Sequence, residues 1–467
     1  MKKNLTAFLI FFLFLSGCQA AISSLRPPLE NEGEVYLYTE PYPQEAERLT
    51  FNIEAIFAVS GDGREFPLPL SLHEFNARDM KRQRLLASGQ LPPGPYIGFS
   101  FKVNKAILKV EDGVADLLVP EVPVRIDFPF SVSQKRAYVI SLTFKYAESI
   151  IGRFSFSPEF SMVIPGKPIT SFIGYVSNLG SNNITVFDKK LQKVFAVIVT
   201  GRGPAGMALD QKLGRAYVAL MGDDSIESID VLAGEVINRL RLHPGDQPQE
   251  LALTPDGKTL LVANKGTNTV SFIDAASLVE LNRVDVGREP NSVLIHPNGI
   301  RAFVFNTLSN AVSVLDIPNK AVMATITTDP GPLRGQLNQQ GNKLYVIHEW
   351  SSYLISLDPF GLSILKRFPV RMGMNSIKVD TQTDLVYMGR GHDTVVEVYD
   401  PNFFVVIDSI TTGGGITNMT IDGDENNLYL VNPEMKSLMV SSLVRKRVIS
   451  QMDVGEGPYW VTLMGER

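Results

Sequence analysis

Two histidines in the C-terminal half of this 467-residue chain are the residues best suited to chemistry. His348 and His392 lie 44 residues apart, and Glu349 directly follows the first of them. Imidazole nitrogens and a carboxylate are common zinc ligands, and the same groups serve as general acid and base. No third ligand stands out at a suitable spacing. A metal site formed by the two histidines with Glu349 is one hypothesis, and we predict neither a resident metal nor a cofactor.

Charged residues in glycine-containing turns form a second candidate set. Arg202, Arg288 and Arg371 lie in turns that recur along the chain. They predict either a cluster that binds an anion or three solvated arginines in local ion pairs. Glu289 and Glu456 lie in the same kind of turn. They are candidate acids or bases if the fold brings them close to a histidine.

Established catalytic signatures are missing from the sequence. It contains no G-x-S-x-G, no H-E-x-x-H and no P-loop pattern. The single cysteine excludes C-x-x-C-H haem attachment and any internal disulfide. A net charge of −5 with interspersed acidic and basic residues is unlike the basic face of a nucleic-acid binder.

The N-terminus, "MKKNLTAFLIFFLFLSGCQA", has the pattern of an export signal. Two lysines precede an apolar run that is too short to span a bilayer as a helix. The stretch "LSGC" resembles the lipobox of bacterial lipoproteins, which implies a signal peptide over 1–17 and acylation of Cys18. Gln19 would then favour the outer membrane. A thiol next to an ordinary cleaved signal is the alternative, and 18–33, with two prolines, is predicted to be a lipidated tether.

Residues 34–167 are rich in short β-type segments. Several alternate apolar with polar side chains, and turn sequences such as "SGDGRE" separate them. This pattern predicts a β-sandwich. The segments "LPPGPYIGFSFKV", "VRIDFPFSV" and "ISLTFKY" resemble an uncharacterised sandwich domain of bacterial surface lipoproteins. That resemblance implies a spacer or docking module.

Residues 168–467 contain a repeat. Its landmark is an aromatic or aliphatic residue that recurs at intervals of 42, 44, 42, 42, 42 and 42 residues: Tyr175, Tyr217, Leu261, Phe303, Tyr345, Tyr387 and Tyr429. Four short strands fit into each interval, as in one blade of a propeller. The motifs "YVSN", "LVAN", "ITVFD" and "TPDG" resemble the YVTN β-propeller family. The predicted fold is therefore all-β, a β-sandwich followed by a seven-bladed propeller, which the C-terminal strand from Tyr459 to Met464 closes by completing the first blade.

The resemblance also implies where a binding site would lie. In that family, the hairpins between second and third strands share one face with the turns between blades. The candidate binding face then carries Arg202, Arg288, Glu289, His348, Glu349, Trp350, Arg371, Arg390, His392 and Glu456. The hairpin asparagines are expected to satisfy their own backbone or to tolerate left-handed geometry. Trp350 is either a ligand contact or a packed residue of the rim.

These features favour a membrane-anchored envelope lipoprotein whose propeller is a non-catalytic binding or scaffold platform. Its partner would be an envelope protein or a polysaccharide. The alternative is a propeller enzyme, either a lactonase-like hydrolase or an oxidoreductase of the quinoprotein or haem-d1 type, with its site at the mouth of the pore.

Overall fold

The computed structural model describes residues 25–111, 113–152 and 154–466. The predicted signal peptide and Cys18 lie outside these residues. Within them, no helix has the length and apolar character needed to cross a membrane. Single helical turns lie at Gln44–Ala46, Tyr146–Ser149, Thr170–Phe172 and Thr307–Ser309.

The N-terminal part consists of two large sheets and one two-stranded sheet around one core. Its strands are β1 (Gly33–Thr39), β2 (Leu49–Ser60), β3 (Glu65–Leu68), β4 (Glu74–Phe75), β5 (Arg84–Leu91), β6 (Gly94–Val110), β7 (Gly113–Asp116), β8 (Val124–Val132), β9 (Ala137–Phe144), β10 (Ile150–Ile151), β11 (Ser155–Phe156) and β12 (Phe160–Val163). One large sheet has the order β12-β9-β1-β5. The other has the order β3-β2-β6-β7, with β4 also paired to β2 and β8 also paired to β6, and β10 and β11 form the two-stranded sheet. Inward residues of both sheets, such as Leu37 and Phe51, form one apolar cluster.

From Ile173 onward, the described residues form seven four-stranded antiparallel sheets. Sheet 1 begins with β13 (Ile173–Asn178), β14 (Asn183–Asp188) and β15 (Lys193–Val199). Sheet 2 contains β16 (Pro204–Asp210), β17 (Arg215–Leu220), β18 (Ser225–Asp230) and β19 (Glu235–Arg241). Sheet 3 contains β20 (Pro248–Leu253), β21 (Thr259–Asn264), β22 (Thr269–Asp274) and β23 (Val279–Asp285). Sheet 4 contains β24 (Pro290–Ile295), β25 (Arg301–Asn306), β26 (Ala311–Asp316) and β27 (Ala321–Thr327).

The last three sheets follow the same order. Sheet 5 contains β28 (Pro332–Leu337), β29 (Leu344–His348), β30 (Tyr353–Asp358) and β31 (Ser363–Pro369). Sheet 6 contains β32 (Met374–Val379), β33 (Val386–Arg390), β34 (Val395–Tyr399) and β35 (Val406–Thr411). Sheet 7 contains β36 (Asn418–Ile421), β37 (Asn427–Asn432), β38 (Ser437–Ser442) and β39 (Arg447–Asp453). The final strand, β40 (Pro458–Leu463), belongs to sheet 1.

The seven sheets form a closed ring with their first strands innermost. The first strand of each sheet contacts that of the next, and β40 contacts both β36 and β16. Sheet 1 therefore takes its innermost strand from the C-terminus, where β40 pairs antiparallel with β13 and sets Tyr175 opposite Thr462. This pairing leaves the ring without an open seam between its two ends.

The repeated aromatic residue is a contact between neighbouring sheets. Tyr217 is fully buried, and its hydroxyl donates to the carbonyl of Ala275 in sheet 3 at 2.9 Å. The equivalent Tyr175, Tyr387 and Tyr429 are also buried. A large ring at this position fills the space between two twisted sheets, which explains why the landmark recurs with such regular spacing.

A buried ion pair lies at the junction of the two chain ends. The ammonium of Lys189, which follows β14, is 3.0 Å from a carboxylate oxygen of Asp422, which follows β36. It also donates to the carbonyl of Met464 at 2.6 Å. Both charged side chains are almost fully buried. The pair therefore joins sheet 1, sheet 7 and the C-terminal segment at one point.

The N-terminal sheets pack against the rim of the ring. Tyr36, Tyr38 and Val139 form an apolar cluster with Val194 and Val197 of β15. Polar contacts flank this cluster, because both Arg82 and Arg84 pair with Asp453 of β39, at 2.7 and 2.9 Å. The two parts of the chain therefore share an interface with a dry centre and a charged edge.

Residues 25–32 belong to the predicted tether, and Arg26 among them contacts the folded part of the chain. The amide of Asn182 donates to the carbonyl of Arg26 at 2.6 Å. The guanidinium of Arg26 is 3.0 Å from Glu34. Composition did not indicate this, since the partners come from distant parts of the chain.

Replacing Lys189 should strongly destabilise the protein. Lys189→Met leaves the Asp422 carboxylate buried without its counter-ion, and breaking a buried pair in this way costs about 3–5 kcal/mol of the free energy of unfolding. Urea unfolding measures the change. Lys190→Met, at the exposed neighbouring position, is the control and should cost less than about 0.5 kcal/mol. Equal midpoints for the two variants would contradict the role of the pair.

Candidate functional site

The candidate residues lie on one face of the ring, which we call the loop face. It consists of the turns before each first strand and the hairpins between second and third strands. Backbone hydrogen bonds join the two sets: the N–H of Gly222 donates to the carbonyl of Arg202 at 3.1 Å, and that of Leu308 to Arg288 at 3.2 Å. The hairpin and the preceding turn of each sheet are therefore adjacent.

The last hairpin residue in several sheets holds the next turn in place. Asn182, Asn268 and Asn310 have positive φ angles of 55°, 61° and 50°. Each side-chain oxygen accepts a hydrogen bond from a backbone N–H of the following turn, at 2.8 to 3.0 Å. A short amide side chain tolerates this left-handed geometry and reaches the backbone. The turns are thus tied to the preceding sheet.

The asparagines that end the second strands have a different role. Asn178, Asn264 and Asn306 are fully buried and have no left-handed conformation. Their amides donate mainly to hydroxyls of the third strand, at 2.8, 2.8 and 2.9 Å. These hydrogen bonds tie the end of the second strand to the third strand inside the hairpin. The left-handed positions expected of them belong to the residues four places later.

His348 occupies the same position in sheet 5. It is buried, Nδ1 lies 3.2 Å from the carbonyl of Tyr353, and Nε2 has no partner among the described residues. Burial lowers the pKa of His348 to about 4. The ring is therefore neutral at pH 7 and takes over the structural position of an asparagine.

The structure does not bring His348 and His392 into one site. His392 is fully exposed, and the carboxylate within ion-pair distance of it, at 3.8 Å, is Glu434 of sheet 7. No group of three histidine, cysteine, aspartate or glutamate residues in the described chain has the arrangement of a metal site. The pair therefore lacks the geometry that a zinc site requires.

The remaining charged candidates are held in local contacts. Arg202 pairs with Asp223 at 2.8 Å, Arg371 with Glu397 at 3.6 Å, Arg390 with Asp393, Glu289 with Lys265 at 3.0 Å and Glu456 with Lys436 at 2.6 Å. Arg288 donates to the carbonyl of Leu308 at 3.2 Å. These contacts lie within the hairpin and turn of each sheet or reach the next sheet. The arginines therefore do not converge on a common anion.

Trp350 and Glu349 form the exposed tip of the sheet 5 hairpin. The indole of Trp350 packs over Gly331, where an added Cβ atom would lie 2.9 Å from the ring, and it remains 46% exposed. The glycine has a φ of 73°. Trp350 is thus partly packed and partly available to a partner.

The centre of the ring holds a charged residue that the sequence did not single out. Arg334 lies on β28 of sheet 5 and is almost fully buried. Its Nη2 is 2.5 Å from Glu250 of sheet 3, and Nη1 donates to the carbonyl of Thr417, before sheet 7, at 2.5 Å. Nη2 also donates to the hydroxyl of Tyr459 in sheet 1 at 3.2 Å. The side chain therefore crosses the channel.

Aromatic rings surround this guanidinium. Its Cζ lies 5.8 Å from the ring centre of Tyr459 and 5.4 Å from that of Trp460. Burial raises the pKa of Glu250, and Arg334 offsets part of that rise. Burial also opposes the charge of Arg334, but Glu250 and Tyr459 outweigh it and raise the pKa of the guanidinium. The channel is closed here by a charged and aromatic cluster.

One signal in the sequence could have identified Arg334. The equivalent positions of four other first strands hold small or polar residues, Gly206, Ser292, Ser376 and Asn418. A long cation among them departs from the repeat. The sequence did not reveal the partners of Arg334, because Glu250 and Tyr459 come close to it only when the ring closes.

Solved structures share this arrangement of sheets. The hydrazine synthase of Kuenenia stuttgartiensis is 18% identical, with a TM-score of 0.53 over 58% of this chain and 93% of that one. A functionally unknown protein from Desulfotomaculum acetoxidans DSM 771 is 14% identical, with a TM-score of 0.56 over 63% and 99%. The dihydro-heme d1 dehydrogenase NirN, in complex with DHE, is 14% identical, with a TM-score of 0.50 over 62% and 65%.

These similarities concern the fold alone. The chain has a nearly all-β fold of the propeller type. No protein-family model and no curated protein sequence matches it. At such low identity, function must be argued from the residues.

Substituting His348 should change the acid sensitivity of the protein. The folded-state pKa of His348 is depressed, so its contribution to stability is present above pH 6.5 and is lost as the pH falls towards 4, up to ~3 kcal/mol. His348→Asn should remove this loss, because the equivalent amide of Asn306 donates to the backbone of Ala311 at 3.2 Å. Urea midpoints at pH 7, 5 and 4 test this. His392→Asn is the control, and identical acid profiles for both variants would contradict it.

Removing Arg334 should destabilise the ring in a pH-dependent way. Arg334→Met leaves Glu250 buried and unpaired, at a cost of about 3–5 kcal/mol at pH 7. A buried acid with a raised pKa favours the folded state at low pH and disfavours it as the pH rises. The deficit should therefore shrink at pH 5, and adding Glu250→Gln should relieve it. A deficit independent of pH would show that Glu250 is not its cause.

Proposed function

We propose that this chain is a lipid-anchored protein of the bacterial cell envelope that acts as a non-catalytic binding platform. In this proposal, an N-terminal β-sandwich carries a seven-bladed propeller of the YVTN type. The loop face binds an envelope protein or a polysaccharide. The anchor is the acylated Cys18, and Gln19 favours the outer membrane.

The architecture part of the proposal rests on the repeat and the sheets together. Intervals of 42 or 44 residues correspond to the seven four-stranded sheets of the ring. Two sheets around a single core support the sandwich. The "LSGC" sequence after an apolar stretch supports the anchor.

The observation that carries the platform function is the rigid loop face. Asn182, Asn268 and Asn310 tie hairpins to the following turns. The face is thus a set of short turns fixed on a closed ring, and such loops commonly hold binding residues. Exposed side chains such as Trp350 and Met372 supply apolar contact area on it.

The start of the described chain bears on how this face would meet the membrane. Leu25 packs near Gly203 and Gly222, and Arg26 is bound by Asn182, all on the loop face. Six residues lie between Cys18 and Leu25, so the seven Cα–Cα steps span at most ~25 Å when extended. An acylated Cys18 would therefore keep the loop face close to the lipid headgroups, within reach of a partner at the membrane surface.

An enzymatic role is the second candidate, and it has less support. Two of the structural neighbours are enzymes, but their similarity to this chain extends only to the fold. Catalysis at the pore mouth needs converging acids, bases or ligands. Glu289, His348, His392 and Glu456 instead have separate local partners, and Arg334 crosses the channel. A stoichiometric chromophore, or turnover of lactones by the purified protein, would favour the enzyme.

A photo-crosslinking experiment tests the platform and the anchor together. With a photoreactive residue replacing Glu349, we expect membrane-bound protein that forms one defined adduct on irradiation. The matched control replaces Gln339, which lies in the same sheet on the opposite face, and should give no adduct. Cys18→Ala should move the protein to the soluble fraction.

The outcomes separate the two parts of the proposal. Tight membrane association of Cys18→Ala would refute the anchor. Equal adducts from positions 339 and 349, or none from either, would refute the loop face as the binding surface.

A further inference from the structure

A cleft of about 860 Å³ lies between the N-terminal sheets and the rim of the ring. Its walls come from five stretches of chain, within 28–30, 134–139, 164–167, 195–201 and 223–239, together with Tyr175 and Val186. Clefts between packed domains commonly bind ligands. Neither the repeat nor the motifs of the sequence point to this place.

The floor of the cleft is the outer edge of β15. The N–H of Thr200 donates to the carbonyl of Asn182, the residue directly before the adjacent strand β14, at 3.0 Å. Hydrogen-bonded and non-hydrogen-bonded pairs alternate along an antiparallel ladder. Val197 opposite Thr185, and Val199 opposite Asn183, are therefore the non-bonded pairs. Their N–H and C=O groups point away from β14, and both residues line the cleft.

These four groups have no hydrogen-bond partner on that side among the described residues. Three residues earlier, the same edge is paired. The N–H of Val194 donates to the side-chain oxygen of Gln83 at 2.8 Å, and the Gln83 amide donates back to Val194 at 3.4 Å. The Gln83 amide thus pairs with the backbone of β15 at one end, as a peptide group of a neighbouring strand would. Beside the cleft, the edge of β15 has no such partner among the described residues.

β15 is more buried than the outer strands of the other sheets. Residues of β19, β23, β27, β31 and β35 are mostly exposed. β39, which also contacts the N-terminal sheets, is mostly half-buried but keeps two exposed residues, whereas every residue of β15 is buried or half-buried. The unpaired N–H and C=O groups of β15 are therefore partly shielded from water. A hydrogen bond made there is stronger than one on an open rim.

We propose that the cleft binds an extended polypeptide segment, which adds to β15 as a further antiparallel strand. Val197 and Val199 each offer one donor and one acceptor, two residues apart, which matches the ~6.6 Å repeat along a strand. The half-buried rings of Tyr138 and Phe195 line the same cleft and accommodate apolar side chains of the segment. A sugar polymer lacks this alternation of donors and acceptors.

This site is separate from the loop face and needs neither the lipid anchor nor a partner at the membrane. The Arg136 guanidinium and the Glu235 carboxylate, 2.9 Å apart, bridge the two sides of the cleft. The bound segment would pass beside this pair.

Proline substitution on β15 tests the proposal directly. Val199→Pro removes an N–H that the ladder with β14 does not use, so sheet 1 should keep its pairing while strand addition is blocked. The matched control is Thr327→Pro, at the equivalent position of sheet 4, where Thr327 lies opposite Ala311. The probe is a display library of random seven-residue peptides, the length of β15, selected on the wild-type full chain.

Peptides enriched in this selection should bind the wild-type protein and Thr327→Pro with equal affinity. Binding to Val199→Pro should be weaker by about tenfold or more, because a main-chain hydrogen bond is lost and the added strand meets the proline ring. On the wild-type protein, N-methylation of alternate peptide amides should abolish binding, so the test holds even if Val199→Pro misfolds. No enrichment, unchanged affinity for a folded Val199→Pro, or tolerance of every N-methylated position would overturn the proposal.

Discussion

Closure of the ring by the C-terminal strand is the constraint on which the other features depend. Each four-stranded sheet has two apolar faces, and one cluster contains Leu261 of sheet 3 together with Val304 of sheet 4. A sheet is therefore buried only when both neighbours are present. β40 supplies the innermost strand of sheet 1 and contacts sheets 2 and 7. Lys189 and Asp422 come together only when β40 is in place. Their attraction and hydrogen bonds can then offset the cost of burying two charges.

Closure also determines what the ring can present to a partner. Once the sheets are fixed, Asn182 and Asn268 orient the turns of the loop face. Arg334 reaches Glu250 and Tyr459 on distant sheets and fills the centre of the ring. The channel is thus part of the packed structure. In the described residues, the loop face presents short turns, and the cleft beside the N-terminal sheets presents an unpaired strand edge.

Residues that depart from the repeat have different roles in the structure. His348 replaces an asparagine, yet it stays buried and bonds within its own hairpin through Tyr353. His392 also departs from the pattern, but it is fully exposed beside Glu434. Arg334 is the least conspicuous departure from the repeat in the sequence, and its partners are the farthest from it along the chain. Whether an irregular residue is structural or available therefore depends on its burial, which the spacing of the repeat does not reveal.

The sequence by itself determined the β character, the 42-residue repeat and the turns, because alternation, glycine, proline and the landmark tyrosines act over a few neighbouring residues. Which loops would share a face was implied only by the family resemblance. Only the tertiary structure decided that the charged candidates pair locally, that Arg334 spans the channel and that β15 has a sheltered edge. These features join residues tens to hundreds of positions apart, as Lys189 and Asp422 show. Their contacts exist only after the ring has closed and the N-terminal sheets have packed against it.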